Sequence, residues 1–152
     1  MDIVLRIKQD VMKISARKTL LFRDIAKSYK KEIAKLDINS IYNICEALLE
    51  SRNRAETIIA YQIIFDCKAK YNENTFLVFE KWLYRYIEDW WDCDDFMTHA
   101  FQYVLMKYPN NMAKIYNWTK HERFAVRRSA AVILNRPSQK MLLNQNVIFD
   151  IC

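Results

Sequence analysis

Glycine is absent from all 152 residues, and proline occurs only twice. Tight β-hairpin turns draw on glycine for backbone angles that a side chain obstructs. Helices joined by short Asn, Asp, Ser and Lys turns do not need it, so the chain reads as all-α. The same absence removes the phosphate-cradling P-loop, the dinucleotide fingerprint and the nucleophile elbow, each of which is built on glycine. Hydrophobic residues make up 52% of the chain, enough for a packed core. One domain over 1–152 is the expectation at this length.

Apolar residues recur at three-to-four spacing along nearly the whole chain, which is the helical period. Ile3, Ile7, Val11 and Ile14 mark a first helix over 2–16. Leu20, Ile25 and Tyr29 mark a second, ending near 34. Asp37 or Asn39 caps a third, and Ser51 with Asn53 breaks it. The next runs to about 69, apolar on more than one side as an inner helix would be. Asn72–Asn74 form a turn, and Asn74 or Thr75 caps the helix that carries Phe76, Phe79, Trp82, Leu83 and Ile87. Asp92 starts a helix with Asp95 at its third position, ending before Pro109. Asn110 opens a shorter helix through Trp118. His121 or Glu122 opens another through Leu134, with Ala130 and Ala131 for close contact and Pro137 as its stop. A last segment covers about 139–151. Nine helices with short turns give a rhythm of roughly 35–40 residues, which predicts an α–α superhelix of antiparallel helix pairs. A helix bundle is the alternative architecture. The final run, Asn146 to Cys152, ends in an apolar stripe without a cap. The expectation is that the natural chain continues, or that another chain covers that face.

Net charge is +6, and it is uneven. Residues 1–35 carry ten Lys or Arg against four Asp or Glu, while 36–152 carry fourteen of each. A polyanion partner such as nucleic acid fits the basic end, and a charged solvent face that aids solubility is the alternative. The candidate phosphate contacts there are Arg17, Lys18, Lys27, Lys30 and Lys31, with Tyr29 and Lys35 beside them. Cys45, Cys67, Cys93 and Cys152 contain no CxxC pair, and only two histidines accompany them, so no metal site is expected. Basic residues interrupt each apolar run before it could span a membrane. Free thiols then suit a reducing cytoplasm, or a nucleus.

Two clusters can carry chemistry. Trp90-Trp91-Asp92-Cys93-Asp94-Asp95 sets two rings beside three carboxylates at a helix start. Trp91 and Asp95 are four apart, so they share a helix face. A ring beside an anion suits a flat cationic ligand, and the carboxylate can stabilise developing positive charge or orient water. Ordinary helix-start chemistry with gap-filling rings explains the same residues. The second cluster is Arg127 and Arg128 near a helix start, where cations oppose the dipole. That points to an anionic partner: a phosphate, or one of the Asp92–Asp95 carboxylates. His99 reads as packing or hydrogen-bonding within its own helix. Cys93 is no nucleophile among three carboxylates.

In order and spacing, Trp90-Trp91-Asp92-x-x-Asp95 and Val126-Arg127-Arg128-Ser129-Ala130-Ala131-Val132-Ile133-Leu134 resemble the DNA alkylation repair family of HEAT-like-repeat DNA glycosylases. Phe101-Gln102-Tyr103-Val104-Leu105 and Trp118 fit the same pattern. The resemblance implies a HEAT-like superhelix that binds duplex DNA on a basic concave face. It implies release of cationic alkylated purines, 3-methyladenine and 7-methylguanine, by hydrolysis of the N-glycosidic bond. It places the catalytic aspartate on Asp95, the cleft aromatic on Trp91 and the cleft arginine on Arg128, with Trp90 and Arg127 as further DNA contacts. It implies no metal or organic cofactor, and we expect a monomer. The family carries a further C-terminal repeat that this sequence lacks. A non-catalytic helical module that binds nucleic acid or a protein partner is the alternative reading.

Overall fold

The computed structural model describes residues 2–140 and 145–151. It is all-α, with no strand among the described residues. The elements are α1 (Ile3–Met12), α2 (Thr19–Ser28), α3 (Lys30–Ile33), α4 (Ile38–Leu49), α5 (Arg54–Asp66), α6 (Thr75–Tyr86), α7 (Trp90–Phe96), α8 (Gln102–Lys107), α9 (Met112–Trp118), α10 (Phe124–Val132), α11 (Asn135–Gln139) and α12 (Gln145–Ile151). Two compact units emerge, Met1–Lys70 and Tyr71–Cys152.

In Met1–Lys70, α5 is the central helix. Every residue from Ala55 to Ile64 is buried, because α1, α2, α3 and α4 all pack on it. The expectation of an inner helix holds, and the reason is visible in its sequence: Ile58, Ile59, Tyr61, Ile63 and Ile64 surround the axis rather than lining one stripe. Asn53 caps it by accepting the Ala55 N–H at 2.9 Å, as Asp37 caps α4 through the Ser40 N–H at 3.0 Å. Between these helices Arg52 takes φ 56°. A chain without glycine still needs a left-handed residue to leave α4, and an arginine supplies it at a steric cost. The first helix is shorter than expected and ends at Met12. The second divides at Tyr29, whose C-cap geometry closes α2 before α3 begins.

In Tyr71–Cys152 the core is a cluster of rings. Phe76, Phe79, Trp82, Phe96, Phe101 and Trp118 are all buried. Their centroids lie 5.1 Å apart for Phe76–Phe101 and for Phe79–Phe96, and 5.3 Å apart for Phe101–Trp118. These are spacings at which tilted and edge-on aromatic pairs gain beyond simple burial. The Trp118 indole N–H donates to Glu80 Oε1 at 2.8 Å, which satisfies its one polar group. The helix from Trp90 to Lys107 is not uniform. Met97–Phe101 form a π turn between α7 and α8, a local widening that periodicity does not reveal. Pro137 does not stop a helix; it sits near the start of α11, where a missing N–H costs nothing. Of the two alanines expected at a close contact, Ala130 is buried but Ala131 is exposed. Ser129 takes the second place against α7.

Candidate active site

The start of α7 differs by three residues from the sequence expectation. The helix begins at Trp90 with Asp89 as its N-cap, and Asp92 is the third helical residue. The Asp92 carboxylate is buried and turns back on the preceding loop. It accepts N–H groups from Glu88 at 3.1 Å, Asp89 at 3.0 Å and Cys93 at 2.8 Å. This is one half of a capping box, and it fixes the direction in which α7 leaves the loop. Burial pushes the Asp92 carboxyl above its ordinary range, opposed by the three N–H bonds.

Cys93 points into the contact with α10. Its Sγ lies 3.1 Å from Ser129 Oγ. Ser129 Oγ donates to the Ala125 carbonyl at 2.8 Å, so the thiol donates to Ser129. Burial pushes this thiol up to about 11, which leaves it a protonated packing group.

Asp94 and Arg128 join the two helices on the exposed side. Arg128 Nε donates to Asp94 Oδ1 at 2.8 Å and Nη2 to Oδ2 at 2.7 Å, a fork-on-fork bidentate pair. Of the anionic partners that the arginine called for, the structure selects Asp94. The pairing raises the Arg128 guanidinium above its ordinary value, chiefly through the hydrogen bonds.

Asp95 stands one residue further on. Its side chain is 13% exposed and its Oδ1 lies 3.0 Å from His99 Nδ1. Trp91, four residues earlier on the same helix face, is half-buried. Trp90 is 63% exposed. Trp91, Asp95 and Arg128 thus belong to one pair of packed helices, with Arg128 held by the carboxylate adjacent to Asp95. Arg127 is exposed, and its Nη1 donates to the carbonyls of His121 at 2.7 Å and Glu122 at 2.6 Å, folding it over the turn that precedes α10.

Arg17, Lys18, Lys27, Lys30 and Lys31 lie in the other unit, and all five are exposed. Lys27 pairs with Asp24 at 3.4 Å. Tyr29 is not a surface contact as expected. It is buried, and its hydroxyl donates to Asp10 Oδ2 at 2.7 Å. Burial together with that bond pushes the phenol up to about 12.

Two residues at the site were not assigned to it from sequence. His99 does hydrogen-bond within its helix, as expected, but the partner is Asp95. The four-residue spacing was the available signal. Phe124, one turn before Arg128 on the same face of α10, is 60% exposed. An aromatic at the first position of a helix, outside its apolar stripe, was the available signal there.

No curated protein and no solved structure matches the chain. One family model does, that of the DNA alkylation repair enzymes, over residues 8–152. With a match of that extent, and with an all-α structure, the chain belongs to the DNA alkylation repair enzyme family.

Proposed function

We propose that this protein is a DNA glycosylase that hydrolyses the N-glycosidic bond of cationic alkylated purines, 3-methyladenine and 7-methylguanine, in duplex DNA. The observation that carries the reading is Asp95, a mostly buried carboxylate on the α7 face that it shares with Trp91. Alkylation places positive charge on the base, so the base departs without a strong general acid. What the reaction lacks is stabilisation of the positive charge that grows on the sugar. A carboxylate shielded from bulk water supplies it more strongly than an exposed one. Trp91 contacts the deoxyribose beside the lesion. Arg128 keeps its Nε and Nη2 on Asp94, and its Nη1 donors serve a phosphate oxygen. Lys30 and Lys31 add phosphate contacts that carry no sequence information.

The test is release of 7-methylguanine from methylated duplex DNA by the natural full-length protein and by Asp95→Asn. Release by the parent and a loss of about 100-fold or more in the variant support the reading. No release under conditions where the protein binds the duplex overturns it. That outcome favours the second reading, a non-catalytic DNA-binding module. One observation speaks for it: both forward donors of Arg128 are already committed to Asp94.

A further inference from the structure

Two large rings stand open at the front of the α7–α10 pair. Trp90 is the first residue of α7 and is 63% exposed, and Phe124 is the first residue of α10 and is 60% exposed. The packing of the helices brings them together. Cys93 Sγ lies 3.1 Å from Ser129 Oγ, and Arg128 holds Asp94 at 2.7 Å. Ahead of these contacts Arg123, the N-cap of α10, donates to the carbonyls of Tyr84 and Ile87, just before α7. Early residues meet early ones and later residues meet later ones, so α7 and α10 run in the same direction. Trp90 is one turn before Asp94, and Phe124 is one turn before Arg128. The register that joins the carboxylate to the guanidinium therefore sets the two rings in neighbouring places, on the face that carries the ion pair. Exposed apolar surface gathered in this way marks a binding surface.

We propose that Trp90 and Phe124 receive the alkylated purine ring when it leaves the duplex stack, while its sugar lies at Trp91 and Asp95. The inference rests on the glycosylase reading above, which assigns contacts to the sugar and phosphate and none to the base. Trp90 directly precedes Trp91, so a base joined to that sugar comes within reach of its ring. An extruded base loses its stacked neighbours, and aromatic side chains replace them. Charge then selects which base is held. Residues 88–95 carry five carboxylates and no cation, while 123–128 carry three arginines. Arg123 and Arg127 turn onto backbone carbonyls, and Arg128 onto Asp94. The surplus around the rings is negative, which favours a flat cation over them and disfavours a phosphate. An N3- or N7-alkylated purine matches both the rings and the charge. An unmodified purine matches the rings alone, and the apolar side chain of a protein partner gains nothing from the carboxylates.

The same arrangement lets the product go. When the C1′–N9 bond breaks, its electron pair stays with the base and cancels the positive charge. The neutral base keeps its stacking and loses the attraction of the ring faces and carboxylates for a cation. The two rings therefore hold the substrate base more tightly than the released one. Trp90 and Phe124 touch the base and move no proton. Their part is to decide which base is taken, and Asp95 acts on the sugar.

The experiment uses a pair of duplexes that differ only in a methyl group, with 7-methylguanine or guanine at a single position. A 2′-fluorine on that nucleotide's sugar withdraws electrons and keeps the N-glycosidic bond intact during the measurement. Affinities for both duplexes are measured for the natural full-length protein, Trp90→Ala, Phe124→Ala, Trp90→Phe and Asp95→Asn, with thermal melting of each. The parent prefers the methylated duplex. Trp90→Ala and Phe124→Ala each lose about 3- to 30-fold of that preference with melting retained. Trp90→Phe, which keeps a ring, keeps most of it. Asp95→Asn keeps the preference and loses base release from ordinary methylated DNA. A parent without preference, or alanine variants with the parent's preference, overturns the inference. Equal weakening on both duplexes also overturns it, since the rings then touch DNA without regard to the alkyl group. A dimer of the DNA-free parent that Trp90→Ala dissolves overturns it as well, because the rings then pair two copies of the chain. Preference lost in both alanine variants, beside a parent that releases no base, sustains the alkylated-base site and overturns the glycosylase reading alone.

Discussion

In Met1–Lys70 the buried side chains are mostly branched aliphatics: Ile7, Ile33, Ile41, Leu48, Leu49, Ile59 and Ile64. In Tyr71–Cys152 the largest are rings, with Phe76, Phe79, Trp82, Phe96, Phe101 and Trp118 in mutual contact. Charge divides the same way. Residues 1–70 carry fourteen Lys or Arg against nine Asp or Glu, a net +5, and 71–152 carry ten against nine, a net +1. The difference teaches a division of labour. Aliphatic side chains fill space around a central helix and leave the exterior to cations that act at long range. Rings have few rotamers and preferred mutual angles, so they hold α7 in one orientation.

The comparison can be broken most directly at Phe101. Phe101→Ala removes a ring that contacts Phe76, Phe79, Phe96 and Trp118. We expect a loss of about 3–5 kcal/mol in urea unfolding, together with loss of the near-ultraviolet dichroism of the cluster. A loss under about 1 kcal/mol, the scale of an Ile→Val change in an aliphatic core, erases the distinction between the two cores.

A smaller effect sits in the aliphatic unit and depends on pH. The folded Tyr29 phenol titrates at about 12 and the unfolded at 10.0. A group whose folded value is raised contributes its stability fully below the unfolded value, and that contribution disappears as pH rises through the folded one. Roughly 2–3 kcal/mol should therefore be lost between pH 10 and 12. Tyr29→Phe should flatten that slope, and denaturant midpoints across this window measure it.

The ion pair between α7 and α10 sharpens the comparison at lower energy. Its partners are both about one-third exposed, so solvent screens them. We expect a coupling of about 1 kcal/mol in a double-mutant cycle of Asp94→Asn and Arg128→Gln. A value near zero would mean that packing alone aligns the two helices. The smallest expected effect is a gain. Arg52→Gly relieves the left-handed backbone and should raise stability by about 0.5–1 kcal/mol, visible as a higher melting temperature.

Much of the fold was legible because its signals are local. The three-to-four period, Asp37 as a cap, the break at Ser51 and Asn53, and the burial of the following helix on more than one side are properties of short windows. The misses come from longer range. Tyr29 reads as a surface residue among lysines, but Asp10, nineteen residues away, draws it inside. Asp92 reads as a cap, yet Asp89 takes that place because the buried Asp92 carboxylate is needed three positions into the helix. At the site, Asp95, Trp91 and Arg128 were legible as a motif, and Arg128 as a group in need of an anion. Which carboxylate it takes follows from the packing of α7 on α10 and from nothing in the local sequence.

The π turn at Met97–Phe101 has a consequence for how this chain tolerates change. A π turn is an α-helix holding one residue more than its length requires, so the frame upstream of it is offset from the frame downstream. Deleting a single residue there would let the helix heal into a regular one without breaking a hydrogen-bonded turn. The healed helix would keep Phe101, Val104 and Leu105 in the core and leave Trp91 and Asp95 near their present face, because the wide turn already absorbs the extra residue. Closing the turn without a deletion would instead rotate every group at the front of α7 by about 100° against the core, which makes the register of this one helix, more than the identity of its residues, the most fragile quantity in the candidate site.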